Sequence, residues 1–329
     1  MNESLNLIPL ISVIICTRNR ASDLREVLNS LATQNPPDDT CEVIVVDNGS
    51  TDETPKVVSE FAAPSWLSVR YVYEGIVGLS QARNTGITAA QGELIAFLDD
   101  DALADQMWLR AHLKPYQFDP DIASVGGKNV GLWLLQQPDW LGPELYMMLG
   151  CGGFGDEPCT LKYPAKPFGG NMSIRKDVVT KLGGFSLALG RKEGNLLSNE
   201  ECELFYLVSK TAGKMVYAPD AVIYHKIYPY RATRRYLLNR FYWQGISDAL
   251  TNQLIEPSSR PLHVLNGLKA MPYCLRALIA TVLYQLKRNP QKVMVSMTGL
   301  WYLLGKARQE LALGIGRAKV LERTHLSSA

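Results

Sequence analysis

Between residue 10 and about residue 115, short apolar runs alternate with segments whose apolar residues recur every three or four positions. That alternation leaves few architectures open. "LISVIIC", "CEVIVVD", "SVRYVYE" and "ELIAFLD" have strand length and the apolar content of sheet interiors. Between them, "ASDLREVLNSLATQ" puts Leu24, Val27, Leu28 and Leu31 on one helical face, and "ETPKVVSEFAA" and "GLSQARNTGITAAQ" read as further helices. Strands and helices in alternation, joined by short connections, predict an α/β fold: a Rossmann-like, mostly parallel sheet with helices on both faces. Ligands of such sheets bind beyond the carboxyl ends of the strands. The segments expected there are 17–20, 47–52, 75–83 and 99–101.

Beyond this unit the pattern changes. Residues 125–170 are rich in Gly, Pro and Trp and read as a long insertion or lid. "NEECELFYLVSKTAGK" then reads as a helix, "MVYAPDAVIYHK" as a strand, and the chain from about 231 as mainly helical. Charge divides at nearly the same place. Residues 1–225 hold 18 Lys and Arg against 28 Asp and Glu, whereas residues 226–329 hold 16 against 4. The division expected is therefore 1–228, with a ligand-binding half at about 8–115 and a lid region at about 125–228, followed by a basic helical region at 229–329.

In that last region, apolar residues at 271, 275, 278, 279, 282, 283 and 286 form one helical stripe beside lysines and arginines. Such a helix suits an anionic membrane surface; packing on the rest of the chain or on a second subunit, giving a homo-oligomer, is the alternative. No nucleic-acid-binding motif accompanies the basic residues, so no nucleic acid is expected. No run reaches the ~18 apolar residues of a membrane-spanning helix, and no targeting segment is evident. A cytoplasmic protein, peripheral on the inner face of the membrane, is the expectation. The six cysteines lack metal-ligand spacing and read as reduced.

Three consecutive aspartates, Asp99, Asp100 and Asp101, follow the fourth strand. Either water screens them in a turn, or a hard divalent cation and a diphosphate share their charge. His225, after another apolar strand, is either a satisfied core histidine or a third ligand for Mn²⁺, which accepts mixed nitrogen and oxygen donors. Glu200, Glu201 and Glu203 crowd one helix start, beyond what the helix dipole requires. Two of them on a shared face should raise each other's pKa, as a general base wants. Asp47 either bonds a ribose or base or forms an Asx turn, and Arg83 either holds a nucleotide or forms a surface ion pair.

Taken in order, "SVIICTRNR", "VIVVDNGSTDET", "GLSQARNTGI", "GELIAFLDDDA", "FGGNMSIRKDV", "NEECEL" and "YAPDAVIYHK" resemble the inverting family 2 glycosyltransferases of GT-A fold, over about residues 10–226. The resemblance implies transfer of a sugar from a nucleotide diphosphate-sugar, UDP-sugars by family habit, with Mg²⁺ or Mn²⁺. The acceptor would be a hydroxyl of a glycan or lipid-linked molecule, in polysaccharide or glycoconjugate synthesis. It also implies that Thr17, Asp47 and Arg83 hold the nucleotide. Asp99 and Asp100 would lie on the nucleotide-sugar, Asp101 and His225 on the metal, and Gly170 and Asn171 along the donor sugar. The catalytic base would be Glu201, with Glu200 beside it, where the family usually has Glu-Asp. A catalytically silent nucleotide-sugar-binding protein of the same fold and a metal-dependent phosphohydrolase are the alternatives.

Overall fold

The computed structural model describes residues 10–35, 41–211 and 213–317, and a nine-stranded mixed sheet runs through them. β1 (Ile11–Thr17), β2 (Cys41–Asp47), β3 (Leu67–Tyr73) and β4 (Leu94–Leu98) pair in parallel, in the spatial order β3-β2-β1-β4. The crossovers are helical: α1 (Ala21–Ala32), α2 (Thr54–Ser59) and α3 (Leu79–Ala89). On one sheet face Val13, Ile15, Val43 and Val45 pack with Leu24, Val27, Leu28 and Leu31 of α1, the face read from the sequence. Ile14, Ile44 and Val46 point the other way and join Ala82 and Ile87 of α3. Every position of β2 is buried, which is why its run shows no polar alternation.

The sheet continues past β4 through β8 (Asn171–Arg175), β6 (Ile122–Trp133), β9 (Lys214–Ile227) and β5 (Ala102–Ala104). β8 runs antiparallel to both β4 and β6, while β6 and β9 are parallel. The long β9 pairs antiparallel with β7 (Cys159–Leu161) through its first half and with β5 through its second. α4 (Trp108–Phe118) packs on the face covered by α1, and α6 (Glu200–Val208) on the opposite one. The short α5 (Lys176–Lys181) follows β8.

The region read as an insertion or lid begins inside β6, a 12-residue strand of the sheet. Its glycines disguise it, because they serve close packing. A Cβ on Gly127 would lie 2.0 Å from the Ala221 carbonyl oxygen, and one on Gly126 2.9 Å from Pro167 Cα. Glycine in a strand interior marks such close approach as often as it marks a loop.

Four helices complete the described chain: α7 (Arg234–Ile255), α8 (Arg260–Lys269), α9 (Met271–Leu286) and α10 (Pro290–Gly314). A third apolar cluster joins Leu237 of α7 and Met294 of α10 to Leu141, Leu145, Leu149 and Ile227. The first turns of α7 are thereby fastened to the end of β9. No disulfide joins the described cysteines.

Candidate active site

A cleft of about 380 Å³ opens at the carboxyl ends of β1 and β4, within the ~300–1,000 Å³ usual for small-molecule sites. The acidic triplet turns through it. Ala102 N donates to Asp99 O at 3.2 Å, closing the turn between β4 and β5. β5 then pairs with β9 in a register that sets Ala102 opposite His225, and Lys226 N donates to Asp101 O at 2.9 Å. This pairing carries a distant histidine to the triplet. One oxygen each of Asp99 and Asp101 and one ring nitrogen of His225 lie within 4.8 Å of one another.

Gly170 closes the other side. Its carbonyl accepts from Asp99 N at 3.3 Å, and a Cβ there would come within 2.1 Å of Asp99 Oδ2. Any side chain at 170 would displace the Asp99 carboxylate, so glycine keeps the cluster open. Two carboxylates with an imidazole fit Mn²⁺, and the carboxylates alone would serve Mg²⁺. The residues present therefore fit the cation that the resemblance implies.

Asp101 is also clamped. Its Oδ2 accepts from Arg20 Nη1 at 2.6 Å and from Arg231 Nη2 at 2.8 Å, while Oδ1 faces His225 Nε2 at 3.4 Å. Burial works against its charge, yet the hydrogen bond to His225 and the charges of Arg231, His225 and Arg20 hold its pKa well below the usual carboxylate range. Asp100 goes the other way: burial pushes it up to about 7 against the pull of Arg20. Burial opposes the charged form of His225, but the hydrogen bond and charge of Asp101 carry it up to about 9. Ligation requires the neutral ring, so a proton and a cation compete for this histidine.

The second half of the site is the start of α6. Arg83, from α3 and 3% exposed, reaches across to Glu200 Oε1 at 2.7 Å, the Gly169 carbonyl at 3.0 Å and Asp99 Oδ1 at 3.7 Å. Lys166 Nζ lies 3.3 Å from Glu201 Oε1. These partners separate the two glutamates. Burial and the neighbouring Glu201 charge raise the Glu200 pKa; for Glu201, burial is outweighed by Lys166 and Arg83, and the pKa is lowered. Mutual raising was expected of the pair, and only Glu200 shows it, because Lys166 takes Glu201 the other way. Glu201 is the more readily ionised carboxylate of the two. Glu203 is buried, one turn inward.

Thr17, Arg83, Asp99, Asp100, Asp101, Gly170, Glu200, Glu201 and His225 thus share one cleft. Two expected residues do not reach it. Asn171 is fully buried; its amide nitrogen donates to the Ala221 carbonyl, and its Oδ1 accepts from Trp108 Nε1 and faces His112 Nε2. It braces β8 from behind. Asp47, also fully buried, accepts from Ser50 N and Tyr71 Oη, each at 2.8 Å, which is the Asx-turn reading; its neighbour Asn48 lines the cleft.

Sequence reasoning missed Arg20, Arg231 and Lys166, and the further cleft arginines Arg191 and Arg240. Arg20 had a positional signal at the end of β1. Arg231 and Arg240 were merged into a basic tail, and Lys166 sits in a segment without a readable pattern.

The sequence model described as "Glycosyl transferase family 2" matches residues 12–144. Over these residues the chain is similar to that family. The match ends before Gly170, Glu200, Glu201 and His225. The chain is 27% identical to glucosyl-dolichyl phosphate glucuronosyltransferase of Haloferax volcanii over 254 residues, 76% of this chain and 79% of that protein. It is also 27% identical to the succinoglycan biosynthesis protein ExoM of Rhizobium meliloti over 251 residues, 74% of each. Among solved structures, the Pyrobaculum calidifontis mannosyltransferase PcManGT, in complex with GDP-Man and Mn²⁺, superposes with a TM-score of 0.59 at 20% identity. That superposition covers 93% of this chain and 88% of the mannosyltransferase. S. aureus TarS 1–349 in complex with UDP-GlcNAc gives 0.52 at 15% identity, covering 87% of this chain and 90% of that one. The fold is that of the GT-A glycosyltransferases.

Proposed function

We propose that the protein transfers a sugar from a nucleotide diphosphate-sugar, a UDP-sugar foremost, to a hydroxyl of a glycan or lipid-linked acceptor, inverting the anomeric centre. One observation carries this reading: the Asp99, Asp101 and His225 cluster shares its cleft with a separate carboxylate, Glu201, whose charged form Lys166 favours. A cation cluster and a base are the two parts that single displacement needs on opposite sides of a donor. The glycoconjugate chemistry named for the relatives, and the nucleotide-sugars bound by the structural neighbours, support the substrate class.

In this scheme Glu201 accepts the proton of the acceptor hydroxyl as the oxygen attacks the anomeric carbon. Lys166 favours the charged form of that carboxylate beforehand. A divalent cation, held by Asp99, Asp101 and His225, would supply charge neutralisation for the departing diphosphate. Arg20 and Arg231 orient Asp101 so that its Oδ1 stays turned toward His225. Arg83 fixes Glu200 and the Gly169 carbonyl, and through them the relative position of base and triplet.

The test is nucleotide release from a panel of sugar nucleotides with and without Mn²⁺, followed by the anomeric configuration of the product. Donor-dependent, chelator-sensitive release with inverted product supports the scheme. An α-linked donor giving an α-linked product refutes the single displacement, and no affinity for any donor refutes the function.

A further inference from the structure

We propose that α8 and α9 form a docking face that lays the protein on an anionic lipid surface. The observation is an inverted amphipathic helix. α9 packs on α10 through its small or less apolar face, with Cys274, Ala277, Ala280, Thr281 and Tyr284 partly covered. The large aliphatic side chains point away: Leu275, Leu278, Ile279, Val282, Leu283 and Leu286 are 50–75% exposed, and no residue of α9 is buried. Spaced at 275, 278, 279, 282, 283 and 286, they occupy one side of the helix. Leu262, Leu265 and Leu268 extend exposed apolar surface along α8. Monomers in water rarely leave contiguous apolar patches beyond a few hundred Å² uncovered.

Charge selects the occupant. From residue 257 to 309 the chain carries eight lysines and arginines and no aspartate or glutamate. Arg260, Lys269, Arg276, Lys287, Arg288 and Lys292 are all exposed around the patch. A second copy would bring an equally basic rim against this one, a repulsion that an anionic bilayer turns into attraction. Among the described residues no helix is long and apolar enough to cross a membrane. α9, 16 residues and thus ~24 Å long, would lie in the headgroup region with its aliphatic face among the acyl chains. The stack α9–α10–α7 then ties the lipid surface to the cleft, because Tyr236 and Arg240 of α7 line it. Docking does not depend on which donor the cleft takes, so it can fail or succeed separately from the proposed function.

The test is co-sedimentation of the full chain with phosphatidylcholine vesicles, with and without phosphatidylglycerol. Binding is expected only to the anionic vesicles and should be released by high salt. Leu278→Asp with Val282→Asp should cut bound protein at least about tenfold, since both side chains leave the acyl region. Lys287→Glu with Arg288→Glu should do the same through charge alone and serves as the second variant should the first fold poorly. Sugar-nucleotide release in vesicle-free solution should be unchanged in both. Equal binding to neutral vesicles, or none to either, overturns the proposal. So does light scattering that shows a stable dimer dissolved by Leu278→Asp with Val282→Asp while the wild type ignores lipid.

Discussion

Replacing Glu201 and Glu200 in turn by glutamine separates base from scaffold. Glu201→Gln keeps shape and leaves an oxygen for Lys166, 3.3 Å away, but removes the proton acceptor. A general base contributes ~10²–10⁴-fold, which at about 1.4 kcal/mol per decade is ~2.8–5.6 kcal/mol of transition-state stabilisation. Turnover should fall by that factor, with nucleotide affinity nearly intact and thermal stability little changed. Glu200→Gln acts on a different quantity. Glu200 and Arg83 are a buried pair at 2.7 Å, their side chains 6% and 4% exposed. Breaking such a pair costs ~3–5 kcal/mol when one charge is stranded. Asp99, 3.7 Å from Arg83, and the glutamine oxygen soften this to about 1–3 kcal/mol. At ~2–4 °C per kcal/mol for a large domain, the melting temperature should drop by several degrees. Steady-state kinetics, calorimetric nucleotide titration and thermal melts read the three quantities. Full loss of turnover in Glu200→Gln at unchanged melting temperature, with Glu201→Gln active, would reverse the assignment; joint loss of turnover and nucleotide binding in Glu201→Gln would make that residue structural.

Lys166→Met tests how the base is kept ionised. Glu201 is depressed in the folded protein, so it remains a carboxylate as pH falls to below the usual glutamate range; without the ammonium, burial should raise its pKa and move the acid limb of the kcat/KM profile to higher pH. An unmoved limb refutes the role. Asp101→Asn should weaken Mn²⁺-dependent nucleotide binding in calorimetry while leaving the metal-independent part unchanged, and equal loss with chelator present would count against a cation at Asp101. Gly305→Ala sets two effects against each other: alanine favours a helix by ~1 kcal/mol, but its Cβ would sit 1.9 Å from the Tyr242 carbonyl oxygen. Overpacking typically costs ~1–3 kcal/mol and against backbone should reach the upper end, a net loss of about 2 kcal/mol, so a lower melting temperature is expected, and a higher one means α7 and α10 pack less closely than described.

The parallel half of the fold was legible because its information is local. Val43, Val45 and Val46 are apolar whichever strands flank them, and Leu24, Val27, Leu28 and Leu31 mark a buried face by spacing alone. The triplet was placed at the ligand edge by the rule that follows from that topology. β6 was not legible, since the glycines that let Pro167 and Ala221 approach look the same in sequence as those of a loop. The helical stripe of α9 was read correctly as a stripe, but its direction was not in the sequence: only the packing on α10 shows the aliphatic side turned outward.

Sequence alone determined which residue types were available for chemistry and which segments end at the cleft. Tertiary structure decided which of them meet. The register of β5 on β9 brings His225 to Asp101, Arg83 crosses from α3 to fix Glu200, and Lys166 makes Glu201 the more readily ionised member of its pair. It also removed Asn171 and Asp47 from the cleft by giving their side chains buried partners. The physical reason is range. Backbone preference and apolar periodicity act over a few residues and are written in order along the chain. Ion pairing and desolvation act through space, between groups whose separation exists only after the sheet has formed.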